Sequence, residues 1–196
     1  MLRIVFSEKR RAVRGPAIFI DRDGVINYRR PGSYVLNWPQ FTFIPGIREA
    51  LNQIASLGLR MIIISNQAAV GKGLLDLAGL QKITARLYQT LAADGTFLAA
   101  AYYCTHRPDE NCVCRKPKPA LLQTAAADFD IDLSRSIFIG DSDTDVQAAR
   151  AAGCASVLLN SDIGTKLTSS TDFRIARSVS DLYDLIAKYV QANGHA

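Results

Sequence analysis

No stretch of this 196-residue chain approaches the roughly 20 consecutive apolar residues that cross a bilayer. None of these residues is expected to form a membrane-spanning helix. Nor does the basic start of the chain, with Arg3, Lys9, Arg10, Arg11 and Arg14, lead into the apolar core that a secretory leader needs, so a cytoplasmic location is expected. No internal repeat or low-complexity tract interrupts the sequence. Negative charge is scarce only at the N-terminus: those five cations face Glu8 alone and hold +4 of the formal net charge of +5. The rest of the chain is close to neutral, which argues against a nucleic-acid partner. Residues 1–15 read as a basic extension, solvated or disordered, preceding one domain over 16–190. A monomer is expected. The four cysteines are too few and too bunched for a disulfide framework: Cys104, Cys112 and Cys114 share eleven positions with His106.

What is present is an alternation of short apolar runs with longer segments of helical period. That pattern predicts an α/β fold, a doubly wound and mainly parallel sheet covered by helices on both faces. Strands are expected at Ala17 to Ile20, Leu59 to Ile64, Phe97 to Tyr103, Ser136 to Ile139 and Ala155 to Leu159. Helices are expected around Ile47, Leu51 and Ile54, over Leu77 to Leu91, after Pro119, from Thr144 to Ala152, and from a Ser180 cap towards Gln191, with a fraying tail beyond. Residues 27–45, long for a strand-to-helix connection, read as a small lid or cap loop. The region 161–178 carries no clear pattern.

Ligands of open α/β sheets bind beyond the carboxyl ends of the strands. Here those ends carry Asp21-Arg22-Asp23-Gly24, Ser65-Asn66-Gln67 and Gly140-Asp141-Ser142-Asp143-Thr144-Asp145. Carboxylates gathered at one edge repel unless a cation neutralises them, and hard oxygen ligands favour Mg²⁺. With a metal polarising a phosphoryl oxygen, one carboxylate of the Asp21 and Asp23 pair can attack phosphorus while the other protonates the leaving oxygen. Ser65 and the amides after it can donate to phosphoryl oxygens. Lys116 can balance the transition-state charge, with Asp145 to orient it. Separately, Cys104, His106, Cys112 and Cys114 form a Cys₃His set inside a loop over 104–114, suited to tetrahedral structural Zn²⁺. That loop would aim Arg115 and Lys116 at the site. Cys154 reads as plain core.

AIFIDRDGVIN, IIISNQ, Lys116 within RKPKP, and IGDSDTD, in that order over about Ala17 to Asn160, resemble the four motifs of the haloacid dehalogenase-like phosphatases. The resemblance implies a Rossmann-like HAD fold with a minimal cap, Asp21 as nucleophile, and Asp23 as general acid and base. Asp21, the Asp23 carbonyl and Asp141 would be the magnesium ligands. The zinc-loop arrangement resembles the branch holding heptose 1,7-bisphosphate phosphatases and the histidinol-phosphate phosphatase domain, and is closer to the former through RDGVIN, the F-x-F-I-P-G element, SNQ and CRKPKP. It implies removal of the 7-phosphate of D-glycero-D-manno-heptose 1,7-bisphosphate for heptose-containing glycans such as lipopolysaccharide. By the same analogy Arg29, Arg30, Pro31, Gly32, Ser65, Asn66, Gln67, Ala68, Arg115 and Lys116 would contact this small phosphorylated sugar, with Lys72 a further cation nearby. Histidinol phosphate or another sugar phosphate is the alternative substrate. A polynucleotide 3′-phosphatase or a zinc-stabilised nucleic-acid-binding protein ranks behind both.

Overall fold

The computed structural model describes residues 1–7, 14–30, 32–159 and 173–193. In chain order the elements are β1 (Leu2–Val5), β2 (Ala17–Ile20), α1 (Ile47–Ala55), β3 (Arg60–Asn66), the short α2 (Ala68–Gly71), α3 (Leu77–Ala93), β4 (Leu98–Cys104), α4 (Ala120–Phe129), β5 (Ile137–Gly140), α5 (Asp143–Ala152), β6 (Ala155–Leu159), β7 (Phe173–Ala176) and α6 (Ser180–Ala192). The seven strands form one sheet in the order β1-β4-β3-β2-β5-β6-β7, parallel except for β1. From β2 the chain winds outward first through β3 and β4, then through β5 and β6 on the other side. The carboxyl end of β2 is thus the topological switch point, where such sheets open a crevice.

Strand alternation divides the core into two layers. Ile18 and Ile20 face the layer built with α1, α3 and α6, where Leu51, Ile54, Leu87, Leu91 and Ile186 are fully buried. Ala17 and Phe19 face the layer built with α4 and α5, including Leu121, Ala125, Phe129 and Ala148. Coverage on both sides explains why β2 reads as an unbroken apolar run. Among the described residues no helix is long and apolar enough to cross a membrane.

Three features correct the expectations from sequence. The start of the chain is not wholly a solvated arm, because Leu2–Val5 pairs antiparallel with β4. Leu2, Ile4 and Phe6 pack on the core, Phe6 stacks on Tyr88 with ring centroids 4.3 Å apart, and Arg3 pairs with Asp128 at 3.2 Å. An alternation of four residues beside a run of cations is too short to announce itself, and only the free edge of β4 gives it a partner. Lys9, Arg10 and Arg11 lie outside the described residues, as does most of 161–178, although β7 emerges at that region's end. Second, β3 and β4 run one or two residues further than expected, so Ser65, Asn66 and Cys104 are strand residues with fixed backbones. Third, Ser180 is the first residue of α6 and not its cap: Val179 holds the N-cap position without a side-chain cap bond, and Asp181 in the first turn instead takes the preceding amides of Arg177 and Ser178 at 2.9 and 3.0 Å.

The segment over 27–45 is a short cap held by an aromatic cluster in which Trp38 stacks on Phe41 and Phe43 meets both edge-on. Phe41 and Val35 are buried. Its only regular piece among the described residues is a 3₁₀ turn at Trp38–Gln40.

Candidate active site

The ends of β2, β3 and β5, the cap segment and the stretch after β4 enclose a cavity of about 390 Å³, lined by Asp21, Asp23, Ser65, Gln67, Arg115 and Lys116 among others. Asp21 follows β2 directly and its amide donates to Ile139 O at 2.8 Å. Gly24 then turns the chain away at φ +99°, a conformation that costs an L-residue dearly. A Cβ there would run into the Asp141 carboxylate. This glycine lets the first and last motifs close on each other.

Lys116 is the electrostatic hub. Its buried ammonium lies 3.0 Å from Asp21 Oδ1 and 2.6 Å from Asp145 Oδ1, and donates to Ile64 O at 3.1 Å. Burial alone would lower its pKa, but the two carboxylates outweigh this and raise it, so it stays charged. Asp145 is pushed up by burial and, more strongly, held down by Lys116 and by donors from Ser142. Its Oδ2 takes the Ser142 hydroxyl at 2.6 Å and caps α5 through the Ser142 and Asp141 amides.

Asp21 is raised above the usual carboxylate range by burial, with Lys116 opposing. Asp141 is pushed up to about 7 by burial and by the charge of Asp21, with Arg29 opposing from 2.7 Å. Carboxylate oxygens of Asp21, Asp141 and Asp145 all lie within 4.8 Å of one another. Asp145 is occupied by Lys116 and by the start of α5, whereas Asp21 and Asp141 keep raised pKa values even with Lys116 and Arg29 beside them. Two oxygen ligands with unfavourably raised pKa values fit a hard divalent ion.

Asp23 stands apart from that cluster. Its carboxylate accepts from Arg22 Nη2 at 3.0 and 2.9 Å, from Asn27 Nδ2 at 2.8 Å and from Gln67 Nε2 at 2.7 Å. Burial would raise its pKa, but Arg22 and these donors more than reverse it, leaving it lowered. Arg22, 1 % exposed, and Asn27 are site residues that the motifs alone do not assign. The signal for Arg22 is a charged residue between two motif aspartates at the end of a buried strand.

Beyond β4, Cys104 Sγ lies 3.5 Å from Cys112 Sγ and 3.6 Å from His106 Nδ1, while Cys114 Sγ lies 3.3 Å from that nitrogen and 3.8 Å from Cys112 Sγ. These separations are far too long for disulfides and match the roughly 3.5–3.8 Å edges of a tetrahedron with metal–ligand bonds of about 2.0–2.3 Å. All four cysteines are free. Cys154 sits elsewhere, in the core, where burial pushes its thiol up and keeps it inert. Gly71 closes α2 onto this loop: a Cβ there would lie 2.7 Å from Arg107 N and Thr105 O.

The expected substrate contacts divide. Arg29, Arg30, Gly32, Ser65, Asn66, Gln67, Arg115 and Lys116 line the cavity. Pro31 lies outside the described residues. Ala68 is buried in α2 and does not line the cavity, because its position starts a helical turn that faces the core. Lys72 likewise lies outside the lining, its ammonium 5.3 Å over the Tyr34 ring. The Asn66 side chain is used on the Lys116 backbone, donating to its carbonyl at 3.2 Å and accepting from its amide at 3.1 Å. Ser33, Tyr34, Val35, Ser142 and Thr144 complete the wall, and no motif marks them as contacts.

A family model described as HAD-hydrolase-like matches residues 113–185. The chain is 40% identical over 144 residues to the D-glycero-beta-D-manno-heptose-1,7-bisphosphate 7-phosphatase of Helicobacter pylori J99, covering 73% of this chain and 82% of that one. It is 38% identical over 146 residues to the D-glycero-alpha-D-manno-heptose-1,7-bisphosphate 7-phosphatase of Mycobacterium tuberculosis H37Rv, covering 71% and 77%. Among solved structures, the D,D-heptose 1,7-bisphosphate phosphatase of B. bronchiseptica in complex with magnesium and phosphate superposes with a TM-score of 0.81 at 29% identity, over 88% of this chain and 98% of that one.

Proposed function

Since the chain belongs to the haloacid dehalogenase-like phosphatases, in the branch of the heptose 1,7-bisphosphate 7-phosphatases, we propose that it removes the 7-phosphate of a D-glycero-D-manno-heptose 1,7-bisphosphate with Asp21 as nucleophile. One observation carries the assignment of roles: the buried Lys116 ammonium, 3.0 Å from Asp21, is itself oriented by Asp145.

Asp21, Asp141 and the Asp23 carbonyl would hold Mg²⁺, as the raised pKa values of the first two favour. Bound there, the metal neutralises the carboxylates and polarises a phosphoryl oxygen. The chain's own groups do the rest. Asp21 attacks phosphorus to form an aspartyl-phosphate, and the Asp23 carboxyl gives its proton to the departing sugar oxygen. In the ligand-free site Asp23 is ionised, so it takes up that proton from solvent as the incoming phosphate dianion raises its pKa. Asp23 then removes a proton from the water that attacks the aspartyl-phosphate, which returns Asp21 and releases phosphate. Lys116 and the Ser65 hydroxyl stabilise the equatorial oxygens throughout.

Arg115 and Arg30 are assigned to the second phosphate. Both line the cavity, and Arg115 Nη1 is buried with no hydrogen-bond partner among the described residues. Cys104, His106, Cys112 and Cys114 would hold a structural Zn²⁺ whose task is to fix the backbone leading into Arg115 and Lys116.

Phosphate release measured side by side on both heptose 1,7-bisphosphate anomers, histidinol phosphate and a 3′-phosphorylated oligonucleotide tests the substrate. One heptose anomer should lead in kcat/KM by at least about tenfold, a discrimination worth about 1.4 kcal/mol. Asp21→Asn should abolish turnover with the fold intact. Comparable slow rates on all four would reject the heptose assignment, and substantial activity in Asp21→Asn would reject the nucleophile.

A further inference from the structure

The Gln67 side chain, expected to touch substrate, is instead bonded to two groups of the catalytic machinery. We propose that Gln67 is a positioning residue whose single carboxamide sets the orientation of Asp23 and Ser65 together; the inference rests on the phosphatase reading above. Its Nε2 lies 2.7 Å from Asp23 Oδ2 and 3.2 Å from Ser65 Oγ, and the residue is 3 % exposed. An amide nitrogen has two hydrogens, one for each of these acceptors. By accepting from Gln67, Ser65 is left to turn its own hydrogen towards Asp21, whose pKa its hydroxyl lowers. The same amide that holds the acid therefore sets the polarity of the hydroxyl beside the nucleophile.

The other donors on Asp23 cannot do this. Arg22 and Asn27 belong to the same tight turn as Asp23; the Arg22 guanidinium also reaches Tyr103 on β4 and lies 6.0 Å over the Phe41 ring, but neither residue comes from the strand that carries Ser65. Gln67 comes from the β3–α2 junction, and its own amide is anchored to Cys104 O at 2.7 Å. Among the described side chains bonded to Asp23, it alone comes from the strand end that carries Ser65. A group held from two separate elements keeps the proton-transfer geometry that leaving-group departure demands.

Leaving-group dependence separates this role from a structural one. In Gln67→Met, which keeps the volume and removes the donor, kcat/KM is measured for phenyl phosphate, for 4-nitrophenyl phosphate and for the preferred heptose bisphosphate. Nitrophenolate leaves without a proton, whereas phenolate gains from one. The expected loss is about 30-fold for phenyl phosphate and about threefold for the nitro compound, a fraction of the roughly 10²–10⁴ that general acid catalysis supplies. Equal losses on both aryl phosphates would overturn the proposal, as would a loss confined to the heptose substrate, which marks a sugar contact. Should Gln67→Met melt below the assay temperature, Gln67→Ala carries the same comparison. Wild-type protein that hydrolyses none of the three would instead reject the underlying phosphatase reading.

Discussion

Replacing Asp141 by asparagine should make the magnesium-free protein more stable, not less. The folded-state pKa of Asp141 is about 7 against an ordinary 3.8, because its carboxyl is buried beside Asp21. A folded-state pKa above the unfolded one means that the neutral acid is the form folding prefers. The contribution of this group is intact below about pH 4 and is lost as pH rises through about 7. The gap between the two values corresponds to a ceiling of about 4 kcal/mol at pH 8, and the remaining solvent contact and the half-exposed Arg29 partner reduce this to about 2–4 kcal/mol. The asparagine carries no charge at any pH and escapes the penalty. For a chain of this length the gain corresponds to a rise in Tm of roughly 5–10 °C at pH 8, shrinking to near zero at pH 4. Magnesium should offset most of this difference: at about a hundredfold excess over Kd it adds about 2.7 kcal/mol to wild type and little to the variant. Thermal unfolding by circular dichroism at pH 4, 6 and 8, with and without Mg²⁺ and without chelator so that any metal at the cysteine loop stays bound, is the assay. An Asp141→Asn variant no more stable than wild type at pH 8 without magnesium would refute the electrostatic account of this edge.

Metal analysis should find about one zinc per purified chain, and Cys112→Ala or Cys114→Ala should lose it with a fall in Tm of several degrees, while turnover still depends on added magnesium. Protein that carries no zinc would overturn the assignment of the Cys104, His106, Cys112 and Cys114 loop. Gly24→Ala should cost roughly 1–3 kcal/mol through the φ +99° backbone and, by pressing on Asp141, lower magnesium affinity as read by calorimetry. Unchanged magnesium binding would mean that the Gly24 approach does not shape the metal site.

The chemistry of this protein is legible in one dimension because its reactive groups sit at strand ends. A buried parallel strand must be an apolar run, so a carboxylate immediately after it, as at Asp21 and Asp141, stands out against its neighbours. Spacing likewise marks the Cys₃His set, since four ligands in eleven positions leave little else for the loop to do. Strand β1 stays hidden, because four residues gain β structure only from the open edge of β4, about 100 positions away in sequence. The roles of Arg22, Asn66 and Gln67 are equally invisible: each carries a polar side chain able to meet a ligand or a neighbour, and spacing says nothing about which. The sequence by itself determined the alternation of elements, the carboxylates, the lysine and the thiol cluster, since these follow from local pattern and residue chemistry. Only the tertiary structure decided that Arg29 turns to Asp141, that Gln67 grips Asp23 and how closely Lys116 approaches Asp21 and Asp145. Those choices depend on distances between segments tens of residues apart, which are fixed when the sheet closes around β2.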